Sequence, residues 1–240
     1  DIDLVYGSGQ TRRRYMDHLL CQVDQVYLQA LVKYNHILEL RNAALKKGLS
    51  DLSRLIATYD EQLDPLASLI FEKRKWAVEL FSPLLHEAYT TLSENRENVD
   101  LEYESDLLTY PHRVLADMHW ESDRMTGRTQ AGIHKDDYKL SIKNMPAKEF
   151  GSQGQIKSLI FALHLGKYAI LRDTSGYKPL LILDDIFDKL DERRLRQLME
   201  ILMTPQFGQV FISDTSSSRV GSYVPGQLLH SIPMEFEPGS

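Results

Sequence analysis

Two carboxylates that follow an apolar run are the residues of this sequence best suited to chemistry. Leu180 to Leu183 form a continuous apolar run, which predicts a strand buried on both faces in a mostly parallel sheet, and Asp184 and Asp185 follow it. Ligands of open α/β sheets bind outside the carboxyl ends of the strands, so an acid pair there suits a metal ion or a polarised water in phosphoryl chemistry. The alternative interpretation is a core strand followed by a capping turn.

A second candidate site lies upstream, where a glycine-bearing turn precedes an apolar pattern at helical spacing from Ile156 to Leu163. The turn consists of Ser152, Gln153, Gly154 and Gln155. It would place a serine hydroxyl and several backbone N–H groups at a helix N-terminus, which attracts anions and phosphate above all. The alternative is an ordinary helix cap.

The composition bounds the kind of protein that carries these groups. The chain has 240 residues, 42% hydrophobic and 26% charged, which is typical of one large or two small globular domains. It contains no apolar run near the roughly 18 residues of a membrane span. Its single cysteine, Cys21, excludes an internal disulfide and fits a reducing compartment. Because it opens at Asp1 without an initiator Met, we expect a fragment.

The first third of the chain predicts a helical arm over residues 12–98. An apolar face with alternating steps of four and three residues predicts one long helix from Arg12 to Lys47. Asp51 is suited to cap a short second helix. Asp64-Pro65 predicts the start of a third, which Pro83 should kink or divide.

Charge is distributed unevenly along the sequence. From Arg12 to Lys75 there are 11 Lys and Arg against 8 Asp and Glu, whereas the rest of the chain has 17 against 26. The early region is therefore the better candidate for contact with a polyanion. Within it, Lys73, Arg74 and Lys75 are candidate DNA contacts, and the alternative is a solvated helix face.

Downstream of the arm the pattern changes. Val99 to Glu104 alternate apolar and polar residues, which predicts a half-buried strand, and a helix is expected near His112 to Arg124. A turn-rich loop follows, in which His134, Asp136 and Asp137 are either metal ligands or turn formers.

The order and distance of these motifs resemble those of ABC-type ATPases. The segment 152–155 resembles their signature motif, with Gln153 where many members carry a first glycine. Leu180 to Asp184 resemble the Walker B strand, Asp185 stands where the catalytic carboxylate is usually Glu, and Lys189 to Asp191 resemble the D-loop.

Four further segments sharpen the resemblance to the RecF family of bacterial DNA-repair ATPases, which extends from end to end of the chain. They are Tyr6 to Gly9, Arg12 to Asp17, Arg41-Asn42, and Gly132 to Asp137. The family's loop usually reads Gly-Pro-His-Arg-Asp-Asp; here Ile133 and Lys135 replace the Pro and the Arg, which keeps the charge.

The resemblance implies an α/β fold: an incomplete ABC-type ATPase head, with a mostly parallel sheet and flanking helices, plus an inserted antiparallel α-helical arm. The expected division is the end of an N-terminal lobe (1–11), the arm (12–98), and the C-terminal half of the head (99–240). No GxxxxGK[ST] motif occurs, so the phosphate-cradling Walker A loop is expected upstream of this chain. Asp214, after a strand at Val210 to Ile212, is the candidate switch residue.

The resemblance also implies a function. Two heads would pair head to tail around ATP, and segment 152–155 would bind the γ-phosphate held by the partner. Asp184 would hold Mg²⁺ and Asp185 would deprotonate the attacking water. The resemblance further implies binding of single-stranded and duplex DNA at gaps, loading of the recombinase with RecO and RecR, a role in the SOS response and a cytoplasmic location. We expect weak ATPase activity in the full-length protein and none in this fragment.

Two other functions stay open at this point. One is a metal-dependent nuclease or phosphatase that uses Asp136, Asp137, Asp184 and Asp185. The other is a non-catalytic module that docks repair proteins through the arm and acidic loops.

Overall fold

The computed structural model describes residues 1–47, 51–94, 97–184, 186, 190–214, 220–226 and 230. The helices in these ranges are α1 (Asp3–Tyr6), α2 (Gly9–Val23), α3 (Gln25–Lys47), α4 (Leu52–Leu92), α5 (His112–Thr126), α6 (Ala147–Phe150), α7 (Gln153–Ser175) and α8 (Glu192–Leu202), with a short 3₁₀ turn at Asp106–Leu108. The strands are β1 (Val99–Glu104), β2 (Asp137–Ile142), β3 (Met145–Pro146), β4 (Leu181–Asp184) and β5 (Val210–Ser213).

The arm is an antiparallel pair of helices, α3 and α4. Arg41, near the end of α3, pairs with Asp60, near the start of α4, at 2.7 Å. Lys73, further along α4, pairs with Asp24, which lies immediately before α3, at 2.6 Å. Contacts that join the end of one helix to the start of the other require opposite chain directions, as the sequence predicted.

The prediction of a single helix over 12–47 is wrong, because the helix is interrupted at Asp24. This residue is extended (φ −139°, ψ 103°), so α2 ends at Val23 and α3 begins at Gln25. The Asp24 carboxylate accepts a hydrogen bond from the backbone N–H of Tyr27 at 2.9 Å. An aspartate that satisfies an N–H of the next helix favours a new helix start over continuation.

The two helices predicted for 51–92 are instead one helix, α4, of 41 residues with Pro65 and Pro83 inside it. Asp51 makes no side-chain capping hydrogen bond. Each internal proline removes one backbone N–H donor. The fully buried Ala67 and Leu85, two residues beyond each proline, show that the helix packs tightly at both points. Tertiary packing therefore carries α4 through both positions.

A three-stranded antiparallel sheet in the order β1-β2-β3 follows the arm. The predicted strand Val99–Glu104 is confirmed as β1, and its ends pair with Ile142 and Asp137 of β2. We did not predict β2, although its alternate residues are buried. Lys143 and Asn144 form the turn to β3 with φ values of 52° and 61°.

A second sheet pairs β4 and β5 in parallel, with Leu181 opposite Val210 and Asp184 opposite Ser213. Both strands were predicted. The prediction that the first is buried on both faces is wrong, since Leu180 is 62% and Ile182 74% exposed. The physical reason is that Leu181 and Leu183 pack against the core, whereas the alternate residues of the run lie on a face that the core does not cover.

The helical arm and the elements that follow it share one hydrophobic core. It contains side chains of the arm, of the antiparallel sheet and of α7 and α8, among them Tyr27, Ile70, Phe81, Leu159 and Leu198. Close packing of α7 on α4 depends on Gly166, where a Cβ would lie 3.3 Å from the Phe81 ring. The arm therefore helps to position α7 and its N-terminus. None of the helices in the described ranges is both long and apolar enough to cross a membrane.

Candidate functional site

The N-terminus of α7 is closed by a capping box. The Ser152 hydroxyl oxygen accepts a hydrogen bond from the Gln155 backbone N–H at 3.3 Å. The Gln155 side-chain oxygen accepts in return from the Ser152 backbone N–H at 2.7 Å. Since the first N–H groups of a helix have no partner within it, those of Gln153 and Gly154 add to an anion-attracting end. The capped helix start is as predicted, and its role as a signature motif stays a prediction.

Arg194 of α8 connects this helix end to Asp191, the predicted D-loop residue. Asp191 caps α8 by accepting from the Arg194 backbone N–H at 2.9 Å, and its other oxygen pairs with the Arg194 guanidinium. A Cβ on Gly154 would lie 2.5 Å from Arg194 Nη1, so the glycine makes room for the guanidinium. Asp191 and the start of α7 are thus held side by side.

The charge state of Asp191 follows from these contacts. Partial burial raises the pKa of its carboxyl, but hydrogen bonds from Arg194 outweigh burial and hold the pKa below its ordinary value. Sequence inspection missed Arg194; the signal was an Asp and an Arg three residues apart at a helix start.

Asp184 lies at the carboxyl end of β4, as predicted for the acid after the apolar run. It is exposed, and the Ser213 hydroxyl of β5 donates a hydrogen bond to its carboxylate. A carboxylate and a hydroxyl at one sheet edge are hard oxygen donors of the kind that Mg²⁺ prefers. Asp214 follows β5 directly. Asp185, the predicted catalytic acid, lies outside the described residues, as does Lys189 of the predicted D-loop.

The basic run on α4 divides into three different environments. Lys73 is occupied by its pair with Asp24. Lys75 is exposed. Arg74 is 1% exposed. A guanidinium with so little solvent-exposed surface is not available to a DNA phosphate. The prediction of Arg74 as a DNA contact is therefore wrong. Lys73 and Lys75 stay candidates.

Arg74 is the centre of a buried polar cluster. Its guanidinium lies 3.0 Å from Asp17 of α2 and 2.8 Å from Asp136, and it donates to the Ile133 carbonyl at 2.6 Å. Burial opposes the charge on Arg74, but the tyrosine hydroxyls and carboxylates around it outweigh burial and keep its pKa above the ordinary value. Burial also raises the pKa of the Asp136 carboxyl, against the opposing attraction of Arg74. This cluster joins α2, α4 and the loop before β2.

The neighbouring loop residues are likewise engaged by protein groups. Asp137 accepts two hydrogen bonds of 2.8 Å from Arg12. The His134 ring lies between the Tyr34 hydroxyl at 3.0 Å and the Thr129 carbonyl at 3.2 Å, and burial lowers its pKa to about 4. In the described part of the chain no group of three or more His, Cys, Asp and Glu is placed to hold a metal. The arrangement favours turn and packing roles over metal binding in this loop.

Comparison with curated proteins finds close sequence relatives. The chain is 39% identical over 222 residues to the DNA replication and repair protein RecF of Cytophaga hutchinsonii, covering 91% of this chain and 59% of that protein. It is 40% identical over 227 residues to RecF of Flavobacterium johnsoniae, covering 93% and 63%. The chain thus spans about three-fifths of the length of these relatives. No protein-family model matches it.

Comparison with solved structures agrees. A structure of the recombination mediator protein RecF-ATP in the RecFOR pathway superposes with a TM-score of 0.78 at 25% identity, covering 90% of this chain and 60% of that one. This likeness confirms the predicted fold class, an α/β portion of an ABC-type ATPase head with an inserted helical arm. With that fold, and with 39% and 40% identity to curated RecF proteins over nine-tenths of its length, the chain is similar to about three-fifths of the DNA replication and repair protein RecF.

Proposed function

We propose that the full-length protein carrying this chain binds DNA in an ATP-dependent manner in recombinational repair and replication, by pairing head to tail around ATP with slow hydrolysis. The observation that carries the proposal is the position of Arg194, which pairs with the predicted D-loop residue Asp191 and fills the space beside Gly154 of the predicted signature segment. A capped helix start serves stability alone, whereas this pairing supports a surface that faces a nucleotide.

Each residue has a proposed role in that surface. The Ser152 oxygen accepts from Gln155, so its own O–H proton is left to donate to a phosphate oxygen, beside the N–H groups of Gln153 and Gly154. Asp184 with Ser213 fits Mg²⁺, and Asp185 is the proposed general base. When bound, ATP with Mg²⁺ supplies the phosphoryl group that is transferred to water. Asp214 is the proposed switch residue.

The expected division into 1–11, 12–98 and 99–240 is part of the proposal. The order of the elements supports the boundary after residue 98, because α4 ends at Leu92 and the first strand begins at Val99. The remaining parts of the proposal rest on the likeness to RecF proteins alone. They are binding to single-stranded and duplex DNA at gaps, RecO and RecR as partners, recombinase loading, the SOS response and a cytoplasmic location.

The test replaces the proposed general base in the full-length protein. Asp185→Asn should lower ATP turnover by about a hundredfold or more, because an amide cannot accept the proton of the attacking water, and dimers on DNA should accumulate with ATP. Asp117→Asn, on the exposed surface of α5, is the matched control and should turn over normally. Unchanged turnover in the Asp185 variant would remove that assignment.

A further inference from the structure

One carboxylate joins the end of the arm to the start of α7. Glu97 lies just beyond α4, with 15% of its side chain exposed. The Tyr89 hydroxyl, in the last turn of α4, donates to Glu97 Oε2 at 2.9 Å. The Gln155 side-chain N–H group donates to Glu97 Oε1 at 2.7 Å, and Lys143 Nζ lies 3.1 Å from the same oxygen.

Gln155 uses both ends of its side chain at this junction. Its oxygen accepts from the Ser152 backbone N–H, while its nitrogen donates to Glu97. The orientation of the amide is therefore fixed from two sides. If Glu97 moved, the Gln155 amide would lose the acceptor that fixes its orientation. The hydrogen bond from the Ser152 backbone N–H to the Gln155 oxygen would then be weakened as well. The geometry of the α7 start thus depends on a residue outside the motif.

The arm side of the junction is packed in the core. Tyr89 is fully buried in the core, so the position of its hydroxyl is set by the position of the end of α4. Burial raises the pKa of Glu97, but the hydrogen bonds from Gln155, Tyr89 and Lys143 outweigh it and leave the pKa below its ordinary value. Glu97 is thus ionised at neutral pH and accepts from both sides at once.

A second contact crosses the same junction. Glu94, just after α4, pairs with Arg193 in the first turn of α8. The arm end therefore contacts both the helix that begins at the signature segment and the helix that begins at the D-loop residue. Two polar links from one end of α4 connect the arm to both halves of the proposed nucleotide-facing surface.

We propose that Glu97 is a positioning residue that couples the helical arm to the signature segment, so that the placement of α4 sets the strength of ATP-dependent head pairing. The coupling rests on the proposed function of residues 152–155. It is reciprocal by thermodynamic necessity: if arm position changes dimerisation, then dimerisation changes the arm.

The test removes one hydroxyl from the arm and none from the nucleotide-facing surface. In the full-length protein, Tyr89→Phe should weaken dimerisation with a non-hydrolysable ATP analogue by about tenfold or more, the effect of removing one hydrogen bond to a charged group. Sedimentation gives the dimerisation constant. Nucleotide affinity of the monomer should not change, since Tyr89 lies outside the monomer's own site.

Tyr34→Phe is the matched control. It also removes a hydroxyl from a fully buried tyrosine of the arm, but one that contacts His134 instead of Glu97. A merely structural role predicts equal losses of dimerisation in the two variants, whereas coupling predicts a loss only for Tyr89→Phe. Tyr89→Phe should also have no further effect when Glu97 is already alanine, because the two residues act through one contact.

The outcomes separate the two proposals. If the wild type does not pair with the ATP analogue, the proposed function fails and the coupling fails with it. If the wild type pairs but both tyrosine variants behave alike, or if the Tyr89 and Glu97 effects add, only the coupling is overturned.

Discussion

Replacing Arg74 separates a structural role from a DNA-binding one. Arg74→Met keeps an unbranched apolar side chain, similar to the stem of the arginine, and removes the guanidinium. In the native state that group contacts two carboxylates, of Asp17 and Asp136, and the carbonyl of Ile133. The carboxylate of Asp136 belongs to a residue that is 3% exposed, so it would be left buried without its cation.

The magnitude follows from that burial. Removing one partner of a buried ion pair costs about 3–5 kcal/mol, because the remaining charge stays desolvated. Arg74→Met should therefore lower the free energy of unfolding in urea at pH 7 by about that amount. Lys75→Met is the matched control: this lysine is exposed, and its substitution should change stability by no more than about 0.5 kcal/mol.

A role in DNA binding predicts the opposite pattern. Removing a cation that binds a DNA phosphate would leave stability unchanged and reduce the salt dependence of DNA affinity by about one charge. A structural role for Arg74 is refuted if the free energy of unfolding of Arg74→Met lies within about 1 kcal/mol of the wild-type value while its DNA affinity falls in that manner. A double variant with Asp136→Asn gives an independent check, since residues of one buried cluster should show losses smaller than their sum.

Two further predictions concern the loop that Arg74 holds. His134 has a folded-state pKa of about 4 against about 6.5 when unfolded, so below pH 6.5 the unfolded chain takes up a proton that the folded chain refuses. The contribution of neutral His134 to the free energy of unfolding is therefore fully present above pH 6.5 and should be lost as pH falls, by about 3 kcal/mol at pH 4. Urea unfolding of the wild type and of His134→Gln across this range measures the loss, and parallel stability curves for the two proteins would contradict it. Gly132→Ala should destabilise by about 1–3 kcal/mol, because φ is +123° and the new Cβ would lie 2.8 Å from the Tyr34 hydroxyl. Gly176→Ala, with φ +74° and open space around it, is the control and should lose less in the same thermal melts.

Local patterns predicted the elements whose formation depends on neighbours in sequence. β1 follows from the alternation of Val99 to Glu104, and the capped start of α7 follows from Ser152 and Gln155 three residues apart. The same alternation is present in β2, at Tyr138, Leu140 and Ile142, but the acid pair before Tyr138 is typical of a turn, although its second residue, Asp137, begins the strand. The local signal for β2 is therefore present in the sequence.

Other features depend on residues distant in sequence, and no local pattern contains them. Arg74 is flanked by two lysines, which indicates a surface, yet Asp17 and Asp136 reach it from 57 and 62 positions away. The apolar run of β4 indicates burial, but burial depends on elements that pack on the faces of the sheet, and the core covers only the face that carries Leu181 and Leu183. In the same way, the role of Glu97 becomes visible only once Tyr89 and Gln155 are brought together.

The arm is joined to the rest of the chain by two kinds of contact that differ in how readily they rearrange. Arg41 and Arg74 are each 1% exposed and paired with carboxylates, and breaking such buried pairs costs about 3–5 kcal/mol each. The junction at Glu97 consists of partly exposed hydrogen bonds to an ionised carboxylate, whose net worth is about 1.5–3 kcal/mol apiece. A displacement of the arm would therefore keep its buried contacts and change the junction at Glu97 first. The contact that costs least to alter is the one that holds the signature segment, which is the arrangement that coupling between arm and head requires.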